Sequence, residues 1–153
     1  MEWLEKMNAA INYIELHIED KIDYSTAAKA ACCSLSRFQR MFSFVTDTTI
    51  AEYVRCRRMS LAAYDLLNSD IKIVELAQKY SYESPEAFSR AYETFHGVSP
   101  TNTRKLGLYT NYPRISFQLK INGGNFNIST KPLVRIEEHR YWFFHADIFW
   151  GYV

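Results

Sequence analysis

This chain predicts a mainly α fold: two helix-turn-helix subdomains joined by a long linker helix, followed by a short β-containing C-terminal segment. Three observations carry that expectation. Ser34, Phe38, Arg40 and Phe42 return fifty residues later as Ser84, Phe88, Arg90 and Tyr92, so one structural device is built twice. Apolar residues recur every three or four positions through the first two thirds of the chain, the signature of amphipathic helices. Beyond Leu108 the period changes to two, most clearly from Arg114 to Ile121.

The elements follow in order. Trp3, Met7, Ile11, Ile14 and Ile18 form one apolar stripe, predicting an opening helix. Asp23-Tyr24-Ser25-Thr26 supplies N-cap chemistry for a short alanine-rich helix through about Ala31. A turn at Cys32-Cys33 follows, then Ser34 caps the first repeat helix, which is expected to end near Val45. Thr48 or Thr49 starts a linker helix to Asn68, with Ile50, Tyr53, Val54, Arg57, Leu61, Tyr64 and Leu67 expected on or near one face. Its length, roughly 30 Å at 1.5 Å per residue, is close to one turn of B-DNA. The unit then repeats: a short helix with Ile73, Leu76, Ala77 and Tyr80, a turn over Ser81 to Glu83, and a second repeat helix from Ser84 to about Phe95. Pro85 suits its first turn, Gly97 closes it and Pro100 prevents its continuation.

Composition narrows the functional class. The 153 residues are 48% apolar, enough for a real core. No apolar run reaches the roughly 18 residues of a membrane span, so no membrane partner is expected. Cys32, Cys33 and Cys56 lack metal-ligand spacing and are odd in number, which suggests a reduced, cytoplasmic setting. His17, His96, His139 and His145 form no ligand or triad pattern. With no nucleophile–base pair, phosphate loop or metal box, the expectation is a non-enzyme with no catalytic residue, metal or cofactor.

Net charge is only +1, but its distribution is uneven. Met1 to Ala28 holds two lysines against six acids, whereas Lys29 to Tyr64 holds six cations against two acids. Asp70 to Gly97 is mildly acidic, with three cations against five acids. A polyanionic ligand would therefore be attracted chiefly by the first unit.

Helix geometry selects the side chains that would meet it. Opposite Phe38 and Phe42, the first repeat helix presents Ser36, Arg37, Gln39, Arg40 and Ser43. Arg grips guanine O6 and N7, and Gln grips adenine N6 and N7, so Ser36, Gln39 and Arg40 are expected at base edges and Arg37 nearer the backbone. The second helix presents Glu86, Ser89, Arg90 and Glu93, with Glu86 suited equally to cytosine N4 or to the positive end of its own helix. Ser34 and Ser84 cap the two helices and aim their starts at phosphates. Arg57 is expected in an internal ion pair, and Arg55 and Arg58 in solvent.

The stretch from about Asn8 to Lys105 resembles the DNA-binding domain of the AraC-type (XylS-like) bacterial transcription factors. The resemblance is carried by Ala28, Ser34, Phe38, Arg40 and Phe42, by Glu52-Tyr53-Val54-Arg55, Arg57 and Ala62, and by Glu75-Leu76-Ala77. It continues through Ser84-Pro85-Glu86-Ala87-Phe88-Ser89-Arg90-Ala91-Tyr92, Phe95, Gly97, Ser99, Pro100 and Arg104. The chain departs from the pattern at Ala27, Asp47, Thr49, Cys56 and Ser81-Tyr82. The resemblance implies double-stranded DNA as partner and points to the same Ser36, Gln39 and Arg40. RNA polymerase is a second candidate partner.

Residues 1–106 are accordingly expected to form the DNA-binding domain and residues 107–153 a separate segment. There Arg114 to Ile121 reads as a half-buried strand, Asn122-Gly123-Gly124 as a turn and Phe126-Asn127-Ile128 as the start of the next strand. Tyr-Pro-Arg-Ile-Ser-Phe followed by Ile-Asn-Gly-Gly looks like the entry to a gyrase-inhibitor-like effector domain. About 45 residues are too few to enclose a pocket, so a small-molecule effector is not expected. Trp142-Phe143-Phe144 and Phe149-Trp150 would have little to pack against. The overall expectation is a sequence-specific regulator acting as a monomer over two major grooves. Its rival is a helical protein-interaction module of the same fold that has lost useful DNA binding.

Overall fold

The computed structural model describes residues 2–122 and 125–129. Seven helices run in order: α1 (Glu2–Leu16), α2 (Tyr24–Ala30), α3 (Leu35–Thr46), α4 (Ile50–Asn68), α5 (Ile73–Lys79), α6 (Pro85–His96) and α7 (Pro100–Leu106). A two-stranded antiparallel sheet follows, β1 (Gln118–Asn122) and β2 (Asn125–Ser129), with Gln118 opposite Ser129 and Asn122 opposite Asn125.

Side-chain caps set the helix starts. Asp23 accepts from Ser25 N at 2.9 Å, Thr49 Oγ1 from Glu52 N at 3.1 Å, and Ser99 Oγ from Asn102 N at 3.3 Å. Gly97 and Gly107 end α6 and α7 in the left-handed region, at φ 72° and 69°. Helix α7 is one element the sequence reading did not place. Ser99-Pro100 followed by Gly107 is a cap, first-turn proline and stop signal that could have found it.

Both helix-turn-helix turns use one device. Cys33 N donates to Ala28 O at 3.1 Å and Tyr82 N to Ala77 O at 2.8 Å, the six-to-one bond of a Schellman turn. The turn therefore repeats at an offset of 49 residues and the following helix at 50, Glu83 being the extra residue. Cys32 and Ser81 take the left-handed position at φ 54° and 61°, and Asp47 does so after α3 at 56°. For an L residue that conformation costs about 1–2 kcal/mol. Ser81 makes a compensating bond, its hydroxyl donating to Glu19 O at 2.8 Å.

Two cores hang on α4. Ile50, Tyr53 and Val54 join Met7, Ile11, Ile14, Phe38 and Phe42 in the first. Met59, Ala62, Ala63 and Leu66 join Leu76, Tyr80, Phe88 and Tyr92 in the second. At 3.6 residues per turn these two sets of α4 side chains lie about 180° apart. The single stripe expected on this helix is thus incorrect: Tyr64 and Leu67 are exposed, because the second half of α4 buries the opposite face. Leu61 packs against both cores.

The alternation expected from Arg114 to Ile121 is half right. Ile115 and Phe117 are buried in the first core while Arg114 is exposed, but β1 begins only at Gln118. Ile115 and Phe117 bond through their backbone to the helix side chains Tyr53 and Asn8. The turn glycines Gly123 and Gly124, and the aromatic residues from Trp142 onward, lie outside the described residues.

Candidate nucleic-acid interface

Helix α3 has a buried back and an open front. Phe38 and Phe42 are fully buried, with ring centroids 6.3 Å apart, and Phe42 meets Tyr53 of α4 at 5.7 Å. Ser36, Arg37, Gln39 and Arg40 are exposed and Ser43 is half-buried beside them. Helix α6 repeats the arrangement: Phe88 and Tyr92 are buried with centroids 5.7 Å apart, Glu86 and Arg90 are exposed, and Ser89 is half-buried. Packing four aromatic rings inward fixes each helix by its apolar side and leaves its polar side free.

The helix starts are built alike as well. Ser34 Oγ accepts from Arg37 N at 3.3 Å and Ser84 Oγ from Ala87 N at 3.1 Å. A hydroxyl used this way keeps its proton, so both serines can still donate to an anion at a helix start. Glu86 sits in the first turn of α6, where the helix dipole favours an acid.

Which arginines are free to reach a ligand is decided by their internal bonds. Arg37, Arg40 and Arg90 are exposed and their guanidinium groups bond to no other described residue. Arg57 pairs with Glu15 as expected, through Nε and Nη2 at 2.9 Å each. Two expectations need correcting. Arg55 holds both oxygens of Glu52, its Nε at 2.9 Å, and keeps that carboxyl below the usual range. Arg58 donates to Ile18 O at 2.8 Å and Asp20 O at 2.6 Å, beyond the end of α1. Backbone carbonyls in the turn after a helix need a donor and draw in a cation that sequence alone would leave in solvent. Arg104 does the same for α4, donating to Leu66 O at 3.3 Å and to Ile71 O. Half of the cations between Lys29 and Tyr64 are therefore engaged internally, and the positive front of the first unit narrows to α3 and Lys29.

His96, the last residue of α6, was missed by the sequence reading. It is buried, with Nε2 3.0 Å from Met59 O, and its Nδ1 accepts from Thr110 N at 2.9 Å. Burial pushes its pKa down to about 4, so the ring is neutral, with Nε2 protonated toward Met59 O. Its position four residues after Tyr92, on the stripe begun by Phe88, is the signal that could have found it.

Comparison with known proteins decides the family. A helix-turn-helix domain family matches residues 27–106, a range that begins in α2 and ends with α7. The chain belongs to the AraC-type helix-turn-helix family. Its relatives in this family include the regulatory protein SoxS of Salmonella typhimurium, 34% identical over 94 residues, or 61% of this chain and 88% of SoxS. An uncharacterized HTH-type transcriptional regulator of Bacillus subtilis, YbfP, is 31% identical over 100 residues, or 65% of this chain. That alignment spans only 34% of YbfP. Among solved structures, an AraC-type regulator from Chromobacterium violaceum aligns with TM-score 0.61 at 22% identity, over 65% of this chain and 89% of that one. The DNA-binding domain of AdpA, solved in complex with a target DNA, aligns with TM-score 0.59 at 24% identity, over 66% and 91%. The AraC-type fold of two helix-turn-helix units on one rod is thus shared with these structures.

Proposed function

We propose that this AraC-type chain is a sequence-specific DNA-binding transcriptional regulator, with α3 and α6 as paired readers of two successive major grooves. One observation carries the reading: Arg40 and Arg90 stand at equivalent positions of two repeated helices, both exposed and without an internal partner among the described residues. Surface arginines commonly pair with nearby acids, and among the described residues these two do not. In this reading Ser36, Gln39 and Arg40 meet base edges, Arg37 and the Ser34 and Ser84 hydroxyls meet phosphates, and Glu86, Ser89 and Arg90 line the second groove. The 19-residue α4 is roughly 28 Å long, commensurate with the groove repeat.

The reading extends to residues 1–106 as the DNA-binding part and residues 107–153 as the entry to a gyrase-inhibitor-like effector segment, supported by the β1–β2 hairpin. It places the protein in the cytoplasm, with RNA polymerase as the further partner met at a promoter. Among the described residues no helix is long and apolar enough to cross a membrane.

The test is a DNA-shift titration of wild type and Arg40→Ala at two salt concentrations, on fragments selected from random DNA by the wild-type chain. A steep salt slope and a loss of about 1–3 kcal/mol in the variant are expected. Equal, weak binding by both proteins would instead identify a helical interaction module.

A further inference from the structure

We propose that residues 108–117 are a brace that fixes the setting of the two reader helices relative to each other, with Thr110, Asn111, Ile115 and Phe117 as its positioning residues. This rests on the two-groove reading above for its functional consequence, but not for its geometry.

The segment is irregular backbone anchored in three places. On the second unit, Leu108 O accepts from Thr103 Oγ1 at 2.9 Å, and Thr110 N donates to His96 Nδ1 at 2.9 Å. On the linker helix, Ser60 Oγ donates to Asn111 Oδ1 and accepts from Tyr112 N, each at 2.8 Å, while Tyr112 O accepts from Arg57 Nη1 at 2.7 Å. On the first unit, Ile115 N donates to Tyr53 OH at 3.3 Å, and the Asn8 amide takes both Phe117 N and Phe117 O, at 2.8 and 2.9 Å. The two ends reach the readers themselves. His96 is the last residue of α6, and the Phe117 ring stands edge-on to Phe42, on the back of α3, at 6.5 Å.

These anchors also account for polar groups that the cores would not otherwise tolerate. The N–H groups of residues 110, 112, 115 and 117 donate to His96, Ser60, Tyr53 and Asn8, all helix side chains. Ser60 and His96 are only 4% and 8% exposed. A buried hydroxyl and imidazole need partners, and the segment supplies them. Pro113 stiffens the run between the linker and first-unit anchors.

A brace is needed because of how α4 is used. Each unit grips its own face of the rod, so the rod alone leaves their relative setting to two separate packings. Ser81 bonding to Glu19 O, with Lys79 3.3 Å from the Glu19 carboxylate, is one direct crossing between the units. The segment adds a crossing on another face of α4, and two crossings restrain rotation that one permits. Two readers in a fixed setting act as a bivalent binder whose effective concentration is set by that geometry. The brace runs directly into β1 at Gln118.

The test inserts two glycines between Thr110 and Asn111, which leaves every anchor free to form but slackens the segment's own link between the second unit and the rest, with the Ser81–Glu19 crossing left in place. Spin-label amino acids at Phe44 and Thr94, exposed equivalent positions of α3 and α6, report the distance between the readers without DNA. The expected result is a narrow distribution in the otherwise wild-type chain and a broad one in the insertion variant. On DNA selected by the wild type, the variant should lose about tenfold on the two-groove site and keep its half-site affinity. Its preference for one half-site spacing should flatten. Should the insertion lower the melting temperature, Asn111→Ala, an exposed residue bonded to Ser60, is read in the same assays. Equal distance widths together with unchanged spacing preference would overturn the brace. A wild type with no preference for two grooves over one, but with the widths differing as expected, would overturn the two-groove reading and leave the brace standing.

Discussion

Arg57 and Glu15 face each other as a two-point pair, Nε to Oε1 and Nη2 to Oε2 both at 2.9 Å, with each side chain only 11% exposed. The same Oε1 accepts from Tyr53 OH at 2.6 Å, and Arg57 reaches on to Tyr112 O. The pair therefore joins α1, α4 and the segment after α7 at one buried point. Removing one partner leaves the other charge buried and uncompensated, a loss of about 3–5 kcal/mol. Glu15→Ala should lower the urea midpoint accordingly. Arg57→Ala should also destabilise, yet leave the salt slope of DNA binding unchanged, because this cation is committed to the interior.

His96 gives the fold a dependence on pH whose sign is set by its neutral form. Its folded pKa lies near 4, below the ordinary value of 6.5, since burial disfavours the charge. The unfolded chain thus binds the proton more readily. Stability from this group is complete above about pH 6.5 and is lost as pH falls toward about 4, by about 3 kcal/mol in all. Protonation would also turn Nδ1 from acceptor to donor against Thr110 N–H. Melting temperatures of wild type and His96→Gln across that window should show the step in the first protein and its absence in the second.

Three arginines of similar sequence context should behave in three ways on DNA. Arg37→Ala should weaken binding to all sequences alike and reduce the salt slope by about one. Arg40→Ala should relax discrimination at one base pair. Arg55→Ala should do neither, because Glu52 already holds its guanidinium group. Titrations on the selected site and on single-base variants separate the three. A specificity change from Arg55→Ala would show that the Glu52 pair opens on DNA.

Local signals made most of this fold legible. The Ser34 and Ser84 caps, the aromatic pairs at a spacing of four and the Gly97 stop each act within one or two helical turns, so the sequence displays them directly. The two open reader fronts follow from the same periodicity. What stayed hidden depends on partners distant in sequence. The face of α4 that is buried changes halfway because two cores claim opposite sides, and a single-stripe reading places Tyr64 and Leu67 inside by mistake. Arg58 looks solvated until the end of α1, some forty residues earlier, comes beside it. Ser60 looks unremarkable in its helix, and the bonding partners of both Ser60 and His96 emerge only when residues 108–117 cross them. Helix α7 was the exception, a local signal present but not used.

Residues 108–117 lie beyond α7, and their removal makes a sharp test of how far the helical unit extends. A chain ending at Gly107 loses Ile115 and Phe117, 6% and 2% exposed, from the first core. Fully burying a large apolar side chain is worth about 1.5–3 kcal/mol, and here there are two. It also strips partners from Ser60, His96, Asn8 and Arg57, of which the first two are buried. A chain ending at Gln118 retains all of these contacts. The Gly107 chain should therefore melt about 10 °C or more below the Gln118 chain. The loss should fall mainly on the first unit, where hydrogen exchange at α1 and α3 would report it. Equal melting of the two chains would mean that Phe42 and Trp3, whose rings meet Phe117 at 6.5 and 6.1 Å, repack without it, and that the helices are self-sufficient.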